Sequence, residues 1–347
     1  MDMLAAKLYG KNDLRVERVP IPTINDDEIL VRVKAATICG TDVRIYLNGL
    51  NGIDADNPLV LCHEFAGTIE TVGAHVSNYH IGQRVTVAPN IGCGICNLCV
   101  SGNSHHCGKL MAIGIHLDGG FAELVRIPSA AVRLGNVTPI ADSVSYVAAA
   151  ANEALSCAYS AFERYVVNPG ETVVIIGAGA IGLMHAQLAK MAGAAKIILN
   201  DLSETRLAEC ASLAPYIITV KDGLYERVME ETGGMGSDVI ITACSAASAQ
   251  RDALALAALD GRVNFFGGLP KGKEMVELDT NLIHYRQISV TGTTRASHAH
   301  YRKTLGLIAS GLVNVDPLVT HRYPLTDIQK AFENAATAVG LRHAIIF

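Results

Sequence analysis

The chain has 347 residues, 50% of them hydrophobic, and a mean hydropathy of +0.29, which is typical of a folded globular protein and excludes a disordered one. This length allows two domains, each with its own core. The apolar runs are interrupted by glycine or charge before the ~18 residues that a membrane span needs, and the formal net charge of −5 disfavours a nucleic-acid partner. The start of the chain, Met1 to Lys7, does not resemble a secretion signal, so we expect a cytoplasmic protein without membrane association.

The first part of the chain predicts β-strands. Residues 28–36 (EILVRVKAA) alternate apolar and polar side chains. Residues 65–72, 84–87 and 121–127 have a similar character. This part therefore predicts a domain built mainly from strands.

From about Ser143 strands and helices alternate. An alanine-rich helix over 147–165 is followed by the turn Asn168-Pro169-Gly170. The next predicted elements are strand 172–176, helix 180–192, strand 196–199, helix 202–213, strands 216–220 and 238–242, helix 247–258, and strands 262–266 and 288–291. This alternation predicts a parallel sheet covered on both faces. Helices at 301–310 and 326–338 and an apolar run at 344–347 complete the chain.

Four of the nine cysteines lie within fifteen residues, in the spacing C-x2-C-x2-C-x7-C: Cys93, Cys96, Cys99 and Cys107. Such clustering predicts tetrahedral thiolate binding of zinc. The last gap differs from the C-x3-C-P of bacterial iron–sulfur ligands, which disfavours a cluster. Two disulfides would require an exported protein. The loop has no lysine or arginine, which argues against a nucleic-acid zinc ribbon.

A dinucleotide-binding motif, Gly177-Ala178-Gly179-Ala180-Ile181-Gly182, follows the strand TVVII and opens a helix. Its glycines permit the tight turn, close approach of a pyrophosphate and helix–strand packing, and the helix N-terminus supplies N–H groups. Asp201 ends the next strand, where a carboxylate accepts hydrogen bonds from the ribose and would repel a 2′-phosphate. We therefore predict NAD, although Arg206 is of the type that accommodates NADP.

A second metal constellation is suggested by Cys39, the pair His63-Glu64, and Glu153. A lone cysteine or histidine is usually a packing residue. However, Glu153 lies in a very apolar helix, where a carboxylate is costly to bury without a partner. A thiolate, an imidazole and a carboxylate would leave an open zinc position for substrate.

In combination these motifs resemble, over essentially the whole chain, the zinc-containing medium-chain alcohol dehydrogenases, in their sorbitol (polyol) dehydrogenase branch. The resemblance rests on Cys39-Gly40-Thr41-Asp42, on His63-Glu64 with the glycines after it, on the cysteine quartet, and on Glu153 followed by the dinucleotide motif and Asp201. It implies an α/β protein with a GroES-like β-barrel catalytic domain at 1–150, whose structural zinc lobe spans about 90–110. A Rossmann NAD-binding domain would follow at 151–290, and 291–347 would return to the catalytic domain. A homodimer or homotetramer is the family expectation.

The resemblance also implies the site and the reaction. Cys39, His63, Glu64 and Glu153 match the catalytic zinc site, with direct ligation by Glu64 or Glu153 left open, and the quartet matches the structural zinc. Two zinc ions per chain and NAD would oxidise a secondary alcohol of a small-molecule polyol or polyol phosphate to a ketone. Thr41 is predicted as the first proton relay, and Arg295 resembles an arginine that contacts substrate or ordered water.

Two positions depart from the family pattern. Cys62 stands where a glycine is usual, and Arg44 where many relatives have a relaying histidine. Arginine cannot shuttle protons at neutral pH, but its fork suits phosphate, so Arg44 either binds a substrate phosphate or contacts the cofactor or a surface acid. The alternatives are a dehydrogenase of threonine or butanediol and, from another class, a non-catalytic protein that binds zinc and NAD.

Overall fold

The computed structural model describes residues 1–347, which divide into two compact units. The first comprises Met1–Ser156 and Ala296–Phe347, and the second Cys157–Arg295. None of the helices combines the length and the apolar character that crossing a bilayer requires.

The first unit consists mainly of strands and short helices. Up to the second unit its elements are β1 (Asp2–Gly10), β2 (Asp13–Pro20), β3 (Ile29–Thr37), α1 (Gly40–Asn48), β4 (Leu59–Val60), β5 (Phe65–Val72), β6 (Arg84–Val87), β7 (Asn90–Ile91), α2 (Asn97–Val100), β8 (Met111–Ala112), β9 (Leu124–Ile127), α3 (Ser129–Leu134), β10 (Val137–Pro139) and the first part of α4 (Tyr146–Tyr165), which continues into the second unit from Cys157. After the second unit the chain forms α10 (His298–Ala309), β17 (His321–Pro324), α11 (Ile328–Ala336) and β18 (His343–Ile346).

Strand β3 is the centre of this unit. The main sheet has the order β10-β6-β5-β3-β18-β17, and β9 also pairs with β3. Strand β18 runs antiparallel to β3, with Ala344 opposite Thr37. The last residues of the chain therefore lie beside the segment that leads to Cys39.

The second unit is a parallel sheet with the order β13-β12-β11-β14-β15-β16. Its elements are β11 (Thr172–Ile176), α5 (Ala180–Met191), β12 (Lys196–Asn200), α6 (Glu204–Leu213), β13 (Ile218–Val220), α7 (Leu224–Glu231), β14 (Ser237–Thr242), α8 (Ala247–Leu256), β15 (Ala257–Phe265), α9 (Thr280–Arg286) and β16 (Ser289–Gly292). The β-branched apolar residues of its central strands are mostly buried, and Val174, Ile198, Ile240 and Val263 share one core. The order is that of a doubly wound dinucleotide-binding fold, and the predicted parallel sheet is confirmed.

The predicted elements differ from the structure where burial is sparse. Helices α1, α7 and α9 were not predicted. Helix α1 buries only Asp42 and Ile45, and α9 buries nothing, so the apolar signal of both is weak. Helix α7 buries only Val228, although the apolar pair Leu224 and Val228, four positions apart, has the spacing of a helix. The helix predicted to end at 258 instead ends at Leu256, because Ala257 already pairs in β15.

Candidate functional site

Cys39, His63 and Glu64 form a compact group in the first unit. One ligand atom from each, a thiol sulfur, a ring nitrogen and a carboxylate oxygen, all lie within 4.8 Å of one another. His63 and Glu64 are buried, and Cys39 is half-buried. The three meet because Cys39 follows β3 and His63-Glu64 precedes β5, and these strands pair through Ala36 and Phe65.

Asp42 orients the first two members of the group. Its Oδ2 accepts a hydrogen bond from the Cys39 amide at 2.9 Å, and its Oδ1 lies 3.6 Å from His63 Nδ1. Burial raises the pKa of Asp42 to about 6. Burial lowers the pKa of His63, but the negative charges of Cys39 and Asp42 outweigh it and leave that pKa raised. A carboxylate beside a ligating imidazole fixes the ring and makes it more basic.

Arg342 is the buried cation of this region. It pairs with Glu64 Oε2, which also accepts a hydrogen bond from the Thr37 hydroxyl. Burial lowers the pKa of Arg342, but the charge of Glu64 outweighs this effect and raises it. Arg342 reaches Glu64 because it directly precedes β18, which pairs with β3. The other oxygen of Glu64, Oε1, has no hydrogen-bond partner.

Glu153 lies on α4 and is only 7% exposed. It is not part of the group within 4.8 Å, which comprises Cys39, His63 and Glu64. Its charge nevertheless acts on the group, since it contributes to the raised pKa values of His63 and Arg342. The structure therefore brings three of the four predicted ligands together and leaves the fourth close by.

The charges and donors of this group fit a zinc ion. Asp42, Glu64 and Glu153 are buried carboxylates, against one buried arginine. Asp42 Oδ1, His63 Nδ1 and Glu64 Oε1 are all buried without a hydrogen-bond partner. Buried charges of one sign are costly unless they are paired or coordinate a metal. Thiolate, imidazole and carboxylate are ligands that zinc prefers.

Thr41 and Arg44 lie one helical turn apart on α1. Thr41 is half-buried and Arg44 is exposed. The Arg44 guanidinium donates a hydrogen bond to the Thr41 hydroxyl at 3.2 Å. Cys39 is the N-cap of the same helix. The predicted relay residue Thr41, and Arg44, which differs from the residue usual in the family, therefore lie on the helix that begins at the metal group.

The Cys62 thiol is directed to the main chain. It is buried and donates to the Glu64 carbonyl at 3.3 Å, and burial raises its pKa well above the ordinary value. Its backbone is left-handed, with φ +84°. The turn is tightly enclosed, because a Cβ at Gly114 or Gly119 would lie 2.2 or 2.1 Å from the Cys62 carbonyl oxygen. Cys62 is thus a packing residue next to the group.

The quartet Cys93, Cys96, Cys99 and Cys107 forms a second, separate group, again with all four sulfurs within 4.8 Å of one another. Three sulfur–sulfur separations are 3.5, 3.8 and 4.0 Å. A disulfide would need about 2.05 Å, and all nine cysteines are free. A zinc tetrahedron with bonds of about 2.3 Å has edges of about 3.8 Å, so the quartet has the dimensions of a zinc site. Hydrogen bonds from the Ile95 and Cys96 amides lower the pKa of Cys93 to about 6, and amide hydrogen bonds also lower that of Cys107. Burial raises the pKa of Cys99 to about 11, so without a cation the four thiols would not all ionise.

The glycines of the dinucleotide motif have distinct surroundings in the second unit. Gly177 is left-handed, with φ +123°. A Cβ at Gly182 would lie 2.0 Å from the Gly177 carbonyl oxygen, so this glycine is needed for the close packing of α5. A Cβ at Gly179 meets no atom within 4 Å. Gly179 is the N-cap of α5, and the space beside it, next to Ala180 and Ile181, suits a pyrophosphate.

Asp201 lies at the edge of a cavity of about 1200 Å³ in the second unit. Its carboxylate accepts hydrogen bonds from the amides of Ala178 and Ser203, both at 2.8 Å. Gly177 of the dinucleotide motif also lines this cavity. Arg206 is half-buried on α6, and its Nε has no hydrogen-bond partner. This arrangement fits the adenosine half of a dinucleotide.

Arg295 ends the second unit, is exposed, and has a left-handed backbone with φ +61°. Its predicted contact with substrate or ordered water stays a prediction.

Two residues that contact the metal group, Asp42 and Arg342, were not predicted as site residues. Asp42 could have been found as an acid three residues after Cys39, in the position that caps a helix. Arg342 had a weaker signal, namely a charge directly before the buried run His343–Ile346.

Two family profiles match the chain. The alcohol dehydrogenase GroES-like domain matches residues 25–136, and zinc-binding dehydrogenase matches residues 180–310. Sorbitol dehydrogenase of Bombyx mori is 34% identical over 345 residues, covering 97% of this chain and 97% of that protein. L-threonine 3-dehydrogenase of Bacillus licheniformis is also 34% identical, covering 94% and 93%. A structure from Sinorhizobium meliloti 1021 with NADP bound is 31% identical, with a TM-score of 0.90 and full coverage of both chains (100%). The predicted GroES-like domain and dinucleotide-binding domain are confirmed.

Proposed function

Since the chain belongs to the zinc-containing medium-chain alcohol dehydrogenase family, we propose that it oxidises a secondary alcohol of a polyol, free or phosphorylated, to a ketone with NAD. Membership makes the protein an oxidoreductase that uses zinc and a nicotinamide dinucleotide, as predicted. The main support for catalysis is the mixed donor group of Cys39, His63 and Glu64, which differs in kind from the all-cysteine quartet.

Cys39, His63 and one carboxylate would hold the catalytic zinc. When bound there, zinc supplies a Lewis acid that lowers the pKa of an alcohol. Three protein ligands leave room for a substrate, whereas the four thiolates of the quartet close their shell. Arg342 balances the charge of Glu64 and leaves Oε1 without a partner, while Glu153 is the nearby second carboxylate.

Thr41 is the proposed acceptor of the proton that the alcohol releases. Its hydroxyl is half-buried, one helical turn from exposed Arg44. Arg44 holds this hydroxyl through a hydrogen bond of 3.2 Å but cannot itself pass the proton on, because it stays protonated. As Thr41 accepts this proton, it would release its own hydroxyl proton to water.

Arg44 also supports the substrate class. An exposed guanidinium close to the candidate metal group is suited to a phosphate on the substrate, through two parallel N–H bonds. A polyol phosphate would accept both of these hydrogen bonds from the guanidinium, whereas a free polyol has no anionic group to accept them. The carboxylate of threonine is the competing anion, and a threonine dehydrogenase is as similar to this chain as a sorbitol dehydrogenase is, at 34% identity each.

Asp201 supports NAD over NADP. Its carboxylate at the cavity edge would accept the ribose hydroxyls and repel a 2′-phosphate. The relative from Sinorhizobium meliloti was solved with NADP, so both cofactors belong in the test.

A substrate panel tests the proposal. Free polyols, polyol phosphates, threonine and butanediol are assayed with NAD and with NADP, and zinc is counted by elemental analysis. We expect about two zinc ions per chain, turnover of a polyol class with NAD, and loss of turnover in Cys39→Ala but not in Cys157→Ala. One zinc ion per chain with no turnover on any alcohol would instead indicate a non-catalytic zinc- and NAD-binding protein.

Arg44 variants decide between the substrate classes. Arg44→Ala removes the hydrogen bond to Thr41 for every substrate and the charged partner of a phosphate in addition, so it should lower kcat/KM for a phosphorylated polyol about tenfold more than for the free polyol. Arg44→His, which restores the residue common in relatives, should favour free polyols. The exposed Arg322→Ala is the control. No preference for phosphate, or a preference that survives Arg44→Ala, contradicts the role of Arg44, and turnover of threonine alone favours the second candidate.

A further inference from the structure

Thr86, Tyr301 and Asn152 form a buried polar cluster in the first unit. They lie on β6, α10 and α4, and their exposed fractions are 0%, 2% and 0%. None of them is a candidate metal ligand or belongs to the proton path proposed above. A buried polar cluster of this kind is costly unless its groups are satisfied, so its connections are informative.

The Thr86 hydroxyl is the centre of the cluster. It lies 2.9 Å from the Phe65 carbonyl, 3.0 Å from the Ala149 carbonyl and 2.7 Å from the Tyr301 hydroxyl. A hydroxyl has one proton, and carbonyls only accept, so Thr86 shares this proton between the two carbonyls in a bifurcated hydrogen bond and keeps its lone pairs as acceptors. Tyr301, whose other acceptor, the Val87 carbonyl, is 3.4 Å away, donates to Thr86.

The two carbonyls belong to the two segments that carry the carboxylates of the candidate metal site. Phe65 directly follows Glu64, and Ala149 precedes Glu153 by one helical turn. The link is reinforced on α4, where the side-chain amide of Asn152, the neighbour of Glu153, donates to the Tyr301 carbonyl at 3.0 Å. One hydroxyl thus joins the Glu64 segment to the Glu153 segment.

We propose that Thr86 and Tyr301 are positioning residues that set the separation between Glu153 and the group of Cys39, His63 and Glu64. This inference rests on the zinc site of the proposed function. Small shifts of α4 along its axis would move Glu153 toward or away from the metal. The Thr86 bridge, held in place by Tyr301, fixes one separation and thereby the coordination geometry.

The experiment uses the full-length protein with cobalt(II) replacing zinc, because visible cobalt absorption reports coordination geometry independently of turnover. Thr86→Val keeps the shape and removes the hydroxyl, Thr86→Ser restores it, and Tyr301→Phe removes only its partner. The control is Tyr165→Phe, which removes another fully buried tyrosine hydroxyl, one that bonds His185 at 3.0 Å in the second unit. Zinc retention is measured against a competing chelator.

We expect Thr86→Val to change the cobalt spectrum and to weaken zinc binding at the mixed-donor site about 10–100-fold, the usual effect of losing a residue that supports a ligand. The quartet should keep its zinc. Thr86→Ser should recover the wild-type spectrum, Tyr301→Phe should show a smaller change, and Tyr165→Phe none. An unchanged spectrum and affinity in Thr86→Val, in a wild type that holds two ions and turns over, overturns the positioning role alone. A wild type that holds only the quartet ion overturns the catalytic zinc site and this inference with it.

Discussion

Gly179→Ala separates cofactor binding from folding at the dinucleotide motif. The new Cβ would meet no atom within 4 Å, and the backbone, with φ −92° and ψ −178°, is extended and open to any residue. At such a site alanine raises the free energy of unfolding by about 0.4–1 kcal/mol, because it restricts the unfolded chain. The methyl group would, however, fill the space through which a pyrophosphate reaches the N-terminus of α5.

Gly182→Ala is the matched contrast on the same helix. Its Cβ would lie 2.0 Å from the Gly177 carbonyl oxygen, so the helix and the turn must move apart. Overpacking of this kind costs about 1–3 kcal/mol or more. Gly306→Ala, on α10 and with no atom within 4 Å, is the control for the general effect of replacing an open glycine.

The assays are urea unfolding and NADH titration by fluorescence. We expect Gly179→Ala to be as stable as the wild type or slightly more so, and to bind NADH at least tenfold more weakly, a loss of about 1.4 kcal/mol. Gly182→Ala should lose stability and affinity together, and Gly306→Ala neither. Wild-type NADH affinity in Gly179→Ala would refute the assignment of the α5 N-terminus to the pyrophosphate.

Three further predictions concern the remaining features of the chain. Asp201→Asn should raise the ratio of kcat/KM for NADP to that for NAD by about tenfold, since a carboxylate that repels the 2′-phosphate is lost. Cys99→Ser should lower the zinc content by one ion per chain and lower the melting temperature, because structural zinc contributes directly to folding. Burial lowers the pKa of His185 from 6.5 to about 3. Between these two pH values the imidazole is protonated in the unfolded chain but neutral in the folded one, so the free energy of unfolding falls as the pH drops below 6.5. Between pH 7 and pH 5, the free energy of unfolding measured with urea should therefore fall by about 2 kcal/mol less in His185→Asn than in the wild type.

Each of these has a control within the chain. Asp260→Asn, at an exposed acid on β15 outside the cavity, should leave the cofactor ratio unchanged, and an unchanged ratio in Asp201→Asn as well would remove Asp201 from cofactor selection. Cys157→Ser should keep both zinc ions, and two tightly held ions in Cys99→Ser would contradict the quartet site. The exposed His75→Asn should keep the wild-type pH dependence, and the same dependence in His185→Asn would mean that His185 is not buried in its neutral form.

Elements and motifs that depend on neighbours in the chain could be predicted from the sequence. The quartet lies within fifteen residues and the dinucleotide motif within six, so spacing alone indicates their chemistry. Strands 65–72, 84–87 and 172–176 were predicted with the bounds that the structure has. The helix α1 was missed because its only buried residues are Asp42 and Ile45, although it carries Thr41 and Arg44.

The sequence by itself therefore determined the family, the two-domain α/β fold and the residue types of both candidate metal groups, because these depend on the spacing of motif residues and the periodicity of apolar residues within short segments. Only the tertiary structure decided what surrounds the candidate metal group of Cys39, His63 and Glu64. Arg342 meets Glu64 from 278 positions away, and Tyr301 meets Thr86 from 215. The first contact follows from the pairing of β18 with β3, and the second from the packing of α10 near β6. Contacts across hundreds of residues leave no periodic signal in the sequence near either partner. For the same reason the structure, and not the sequence, separated Glu153 from the three candidate ligands that lie together.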